Sequence, residues 1–292
     1  MKRVIAPFIC ICLLSGCSLI KQQVKGEVSP KNFNEELSFT TAKTVIVLPV
    51  MENGGTKNFL FDTGADLNLV QRDSILGKTK KYEGASKRQM KLGKEVVGSM
   101  KIGHLDFKNT VAVTGDFKGL KEQIPNFGGL IGQPIINKAN WLIDYPNKTI
   151  QISNEHLTDT SFTSIIIKRK GGAPYTIITI GDKEYEVLID TGSSSAFNLP
   201  RDSKLAKELL NQYEFEDNQR ERYTLGGLQT ITEKAGVVAL IKLGGMEFTN
   251  VKTTLNTSSQ PRIGISFFEN CKIYIDNIEG DYKIKKVDFP KN

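Results

Sequence analysis

Histidine is nearly absent from this chain of 292 residues, and the two present, His104 and His156, lie far apart. A histidine-rich metal centre and a serine, histidine and aspartate relay both need imidazoles in a defined constellation, so neither chemistry is expected. Cysteine is scarce as well: of four, Cys10, Cys12 and Cys17 crowd into the first 17 positions and only Cys271 follows. With those three removed or blocked, no intramolecular disulfide can form. No glycine-rich phosphate loop precedes a helix. A formal charge of +7, with 24% charged and 39% hydrophobic residues, describes an ordinary globular chain and does not call for nucleic acid. The single tryptophan, Trp141, is expected in the core.

Long apolar runs are also missing. Lys2 and Arg3 precede an apolar stretch from Val4 to Leu14 that is too short to span a bilayer as a helix. It ends in Leu14-Ser15-Gly16-Cys17, which resembles a bacterial lipobox. That resemblance implies a signal peptide over 1–16, cleavage before Cys17, and acylation of Cys17 as the new amino terminus; an ordinary cleaved signal with an incidental cysteine is the alternative. Several acyl chains on one residue would anchor the protein stably outside the cytoplasm. Ser18 resembles outer-membrane sorting where a cell has two membranes. Residues 17–41 are mixed and polar with little periodicity, and are expected to be a lipidated tether. The alternative is a short helix or an added strand burying Phe33, Leu37 and Phe39.

What the chain does have is the tripeptide Asp-Thr-Gly twice, as Asp62-Thr63-Gly64 after Phe59-Leu60-Phe61 and as Asp190-Thr191-Gly192 after Val187-Leu188-Ile189. At average composition such a triplet arises about once in several thousand positions. Other segments recur in the same order. Lys101-Ile102-Gly103 returns as Lys242-Leu243-Gly244, Arg72-Asp73-Ser74 as Arg201-Asp202-Ser203, Leu130-Ile131-Gly132 as Arg262-Ile263-Gly264, and Leu142-Ile143-Asp144 as Tyr274-Ile275-Asp276. The aspartates are 128 positions apart and the later glycines 132, so two copies of one fold are expected.

An apolar pair before Asp-Thr-Gly, followed some seventy residues later by an apolar-apolar-Gly triplet, resembles the retropepsin-like and pepsin-like aspartic proteases. The resemblance covers both halves, from about residue 42 to the end. It implies an all-β fold of two homologous β-barrel lobes, 42–155 and 156–292, related by a pseudo-twofold axis in one chain, a monomer with an internal pseudo-dimer. It implies a catalytic dyad, Asp62 and Asp190, supported by Thr63, Gly64 and Ala65 in the first lobe and by Thr191, Gly192 and Ser193 in the second, with no cofactor and no metal. In these enzymes the two carboxylates share one proton, so the resemblance further implies one ionised and one protonated aspartate. Asp66, Ser194, Gly226 and Gly227 are expected to contact a polypeptide substrate.

Three departures stand out. Gln133 follows Gly132 where the retroviral enzymes carry an arginine, leaving the partner of Asp66 open. Arg262 replaces an apolar side chain in the second triplet, so that it either loosens the support of Asp190 or points outward. Ser193 carries a hydroxyl that can donate to Asp190, whereas Ala65 cannot do so for Asp62, which makes Asp190 the expected ionised member.

Strands are expected over 44–50, 57–61, 96–102, 111–114, 175–180, 184–189, 237–243 and 273–275, with turns at Asn53-Gly54-Gly55 and Gly181-Asp182. One helix is expected over 204–213, capped by Asp202 or Ser203 and apolar at Leu205, Leu209 and Leu210. Flaps are expected at 87–95 around Gly93 and at 222–230 around Gly226-Gly227. The lysines and arginine of 78–94 read as a solvated loop or as a contact with anionic lipid or acidic substrate. The functional expectation is a membrane-anchored aspartic endopeptidase, and the alternative a catalytically weak peptide-binding lipoprotein using the same cleft.

Overall fold

The computed structural model describes residues 12–75, 78–83, 89–224 and 227–287. The described chain is mostly strand, arranged in three sheets. In the first lobe, Val45–Glu52 and Gly55–Phe61 form a hairpin whose turn residues Asn53 and Gly54 have φ of 49° and 77°. Two successive positive φ values match the right-handed twist of the strands, which is why an Asn-Gly pair sits there. Gly55–Phe61 runs parallel to Phe127–Ile131, which is antiparallel to Asn68–Gln71, which is parallel to Leu105–Gly115.

The second lobe repeats this succession of directions. Ala173–Ile180 and Lys183–Asp190 form the hairpin; Lys183–Asp190 is parallel to Arg262–Gly264, which is antiparallel to Phe197–Pro200, which is parallel to Met246–Asn256. The two lobes are thus copies in topology as well as in sequence.

The third sheet joins them. Its order is Thr163–Ile165, Tyr282–Lys286, Cys271–Ile275, Asn140–Asp144, Thr149–Ser153 and Asn34–Ser38. At its centre Leu142 lies directly opposite Tyr274 in an antiparallel pair. These residues are 132 positions apart, as are Gly132 and Gly264, so each faces its own counterpart. Such a pairing places the local twofold axis between them. Beneath it, Trp141 is fully buried, its ring 5.1 Å from Phe61 and 6.1 Å from Phe107, and its Nε1 donates to the Ile136 carbonyl at 2.8 Å. The core thereby reaches the strand end that carries Asp62.

Every expected strand lies, to within a residue, inside an observed one, but several observed strands are longer. Gln89–Ile102 and Gly227–Leu243 start well before the apolar stretches that announced them. Hydrophobic alternation reports only where a sheet lies on a core, and the early part of Gly227–Leu243 is a hairpin arm with few buried side chains. The helix is Lys204–Gln212, one residue shorter than expected, with Ser203 Oγ accepting from the Ala206 N–H at 3.1 Å. It buries Leu205 and Leu209 but leaves Leu210 exposed.

The expected tether over 17–41 needs correction. Glu27–Ser29 pairs with Leu105–Gly115, and Asn34–Ser38 closes the edge of the central sheet against Thr149–Ser153. Phe33 and Phe39 are buried. Upstream, the helix Cys12–Val24 is held at its end by Gln23, whose Nε2 donates to the carbonyls of Asp66 at 3.0 Å and Gly171 at 2.7 Å. The segment looked structureless because edge strands cover one face only and leave polar side chains in water. Phe39→Ala is expected to cost about 3 kcal/mol in denaturant unfolding, as for a core phenylalanine; a free tether would give no change.

Candidate functional site

Two loops meet at the axis. Gly55–Phe61 leads directly into Asp62 and Lys183–Asp190 ends on Asp190, and a turn then returns the chain: the Ala65 N–H donates to the Asp62 carbonyl at 3.3 Å and the Ser193 N–H to the Asp190 carbonyl at 3.0 Å. Behind each loop lies the triplet strand. Asp62 N–H donates to the Ile131 carbonyl, Gln133 N–H to that of Ala65, and Ile265 N–H to that of Ser193, all within 3.0 Å.

The loops are locked to each other by four crossed hydrogen bonds. Thr63 N–H donates to Thr191 Oγ1 at 3.0 Å and Thr191 N–H to Thr63 Oγ1 at 3.1 Å. The two hydroxyls pass their protons onward, Thr63 Oγ1 to the Ile189 carbonyl at 2.8 Å and Thr191 Oγ1 to that of Phe61 at 3.1 Å. Both threonines are buried, and the N–H and hydroxyl of each are satisfied across the axis. The glycines that follow admit the opposing carboxylates. A Cβ on Gly192 would lie 2.3 Å from Asp62 Cγ, and one on Gly64 would lie 2.9 Å from Asp190 Cγ.

Asp62 and Asp190 consequently each lie against the opposite loop, and the Gly64 N–H donates to Asp62 Oδ1 at 2.8 Å. Burial first, and then the charge of Asp190, push the Asp62 carboxyl well above the usual carboxylate range; the Gly64 N–H and, last, the Arg262 cation pull the other way. No family model matches the chain, and no curated protein sequence does. Among solved structures, the crystal structure of an aspartic proteinase from Irpex lacteus is similar over 88% of this chain and 98% of that one, with a TM-score of 0.56 at 12% identity. The fold is that of a two-lobed, pepsin-like aspartic proteinase. At this identity the likeness concerns the fold alone.

Arg262 overturns its expectation. It neither points outward nor merely loosens a support: its Nη1 donates to Asp190 Oδ2 at 2.7 Å, with both side chains buried. The side-chain donor to Asp190 is therefore this guanidinium and not the hydroxyl of Ser193. The signal was present in the sequence as a broken triplet, but a strand position alone does not say which neighbour a long side chain reaches.

Gln133 is fully buried and donates to the Thr63 carbonyl at 2.7 Å, while Arg169 from the second lobe reaches its Oε1 at 3.4 Å. Asp66 instead lies near Gly171 and under Gln23. It is open to solvent on one side and enclosed on the other, which pushes its carboxyl up to about 6. Ser194 turns its carbonyl to Thr44 Oγ1 and Ser266 Oγ, at 3.2 and 3.0 Å.

One hairpin of the second lobe, Phe215–Thr224 with Gly227–Leu243, reaches the first lobe. Its Gly227 packs so closely on the short helix Lys118–Lys121 that a Cβ on Gly119 would lie 2.4 Å from Gly227 Cα. Gly226 lies outside the described residues. In the first lobe, Lys80–Glu83 pairs with the start of Gln89–Ile102, but Gly93 is inside that strand opposite Thr114 and is not a hairpin tip. Residues 84–88, with Lys87 and Arg88, lie outside the described residues. Lys94 from this strand donates to Gln22 Oε1. His156, Asp276 and Glu279 come within 4.8 Å of one another, but Lys283 pairs with both carboxylates, at 3.2 and 2.7 Å, and supplies their counter-charge.

The folded chain binds the Asp66 proton more tightly than the unfolded chain does, so this group subtracts stability as the pH rises from about 4 to about 6. Asp66→Asn is expected to raise Tm at pH 7 by about 2 °C, a figure discounted for its open side, and to leave Tm unchanged at pH 3.5. Equal shifts at both pH values would remove titration as the cause.

Proposed function

We propose that the chain is an aspartic-type endopeptidase whose dyad is Asp62 and Asp190. The observation that carries this reading is the meeting of two carboxylates from separate lobes on loops tied by the crossed Thr63 and Thr191 hydrogen bonds. In this scheme a water held between them loses a proton to Asp190 as its oxygen adds to the carbonyl carbon of an extended peptide. Asp62 gives its proton to the carbonyl oxygen. As the tetrahedral diol collapses, one of its hydroxyls returns a proton to Asp62, the C–N bond breaks, and the departing amine takes up the proton carried by Asp190. The hairpin that touches Gly119 would lie over the bound chain and exclude water. Arg262 favours a second reading, a peptide-binding groove with little turnover, because one oxygen of Asp190 is already engaged.

Cleavage of a randomised peptide library separates the two. Asp62→Asn and Asp190→Asn are each expected to lower kcat/KM by a factor of about 10³ or more while leaving the fold intact. Peptide capture without cleavage by the unaltered chain would favour the groove, and full activity in either variant would remove the dyad.

We also propose acylation at Cys17. No helix among the described residues is long and apolar enough to cross a membrane, and the lipobox-like leader supplies another means of attachment. Cys17→Ser is expected to move the protein out of the detergent phase; unchanged partitioning would refute the anchor.

A further inference from the structure

We propose that Arg262 is a positioning residue that makes Asp190 the charged member of the pair and leaves the shared proton on Asp62, so that two carboxylates alike in sequence hold different roles. The part concerning turnover rests on the endopeptidase reading; the assignment of charge does not.

Around the dyad the lobes differ at Ala65 and Ser193, at Gln133 and Ile265, and, as the one change of charge in the triplet strands, at this point. Leu130 in the first triplet strand pairs with Leu60 on one side and Leu69 on the other, a leucine among leucines. Its counterpart Arg262 sits between Leu188 and Asn198 in the same register. Among the described residues, the cation that acts on Asp62 is Arg262 from the other lobe, whereas Asp190 is bonded to it directly. Among the described residues, the charged groups against Asp190 are Asp62 from the opposite loop and Arg262 from the neighbouring strand. One cation and one competing carboxylate decide its charge.

A guanidinium keeps its proton at any pH at which the protein is folded. Buried, it requires a counter-ion, because a desolvated unpaired charge is far costlier than a protonated carboxyl. Arg262 has little else to bond: its Nε is buried without a partner, and so is Asn198 Oδ1. Protonating Asp190 would strand this cation, whereas protonating Asp62 strands nothing. The single proton of the pair therefore resides on Asp62, whose carboxyl already prefers it by burial. The geometry leaves room for chemistry. Arg262 takes Oδ2 of Asp190, while Oδ1 lies on the side of the first-lobe loop, 3.0 Å from where a Gly64 Cβ would be. Arg262 thus leaves Oδ1 of Asp190 unengaged.

The consequence is a dyad whose first ionisation is pulled to low pH by a fixed cation, with the singly protonated form spread over a wider range. Arg262→Leu restores the apolar residue that the first lobe carries at Leu130, and Arg262→Gln keeps a hydrogen-bond donor without the charge. Both are expected to move the acid limb of the kcat/KM profile upward by about one unit or more, and Arg262→Lys to leave it within about half a unit. An acid limb unmoved in an active Arg262→Leu or Arg262→Gln protein would overturn the proposal. A second measurement needs no activity. In Asp62→Asn protein labelled with ¹³C at the aspartate carboxyls, the Asp190 signal is expected to remain that of a carboxylate at a pH where adding Arg262→Gln makes it titrate. Identical titrations would overturn the proposal; a difference in a chain that cleaves no peptide would uphold it while sinking the endopeptidase reading.

Discussion

The structure depends on forcing two carboxyl groups into one space. Nothing in the electrostatics of Asp62 and Asp190 brings them together; the hydrogen bonds of Thr63 and Thr191 do, by giving each buried hydroxyl and amide a partner on the other side of the axis. Separating the lobes would leave four buried polar groups unpaired, and this penalty holds the carboxylates at close range. The central sheet serves the same end, with Leu142 against Tyr274 setting the axis. The glycines at 64 and 192 follow as a necessity, since each abuts the opposite carboxylate.

On this symmetric frame the asymmetries carry the chemistry. Arg262 stands for Leu130, Ser193 for Ala65, and a long hairpin of the second lobe packs on Gly119 of the first. A symmetric dyad would leave the location of its proton undecided between two equal sites. One buried cation is enough to bias it, because a charge pair at 2.7 Å away from water outweighs the screened influence of anything on the surface.

Much of this was legible beforehand. The strand cores, the turn at Asn53-Gly54, the cap at Ser203 and the burial of Trp141 all follow from local rules of alternation, φ preference and capping. The edge strands of residues 27–38 were not legible as the first choice, since half-covered strands with polar faces lack a strong period. Gly93 was misplaced because a glycine inside a strand and one at a hairpin tip look alike in sequence.

The sequence alone determined the duplication, the two aspartates and their threonine and glycine neighbours, because these lie in contiguous motifs whose local geometry the chain dictates. It also displayed Arg262 as an irregularity in its triplet. Only the tertiary structure decided what that irregularity does. The direction of a long side chain depends on the space its neighbours leave, and here Arg262, in register with Leu188 and Asn198, reaches Asp190.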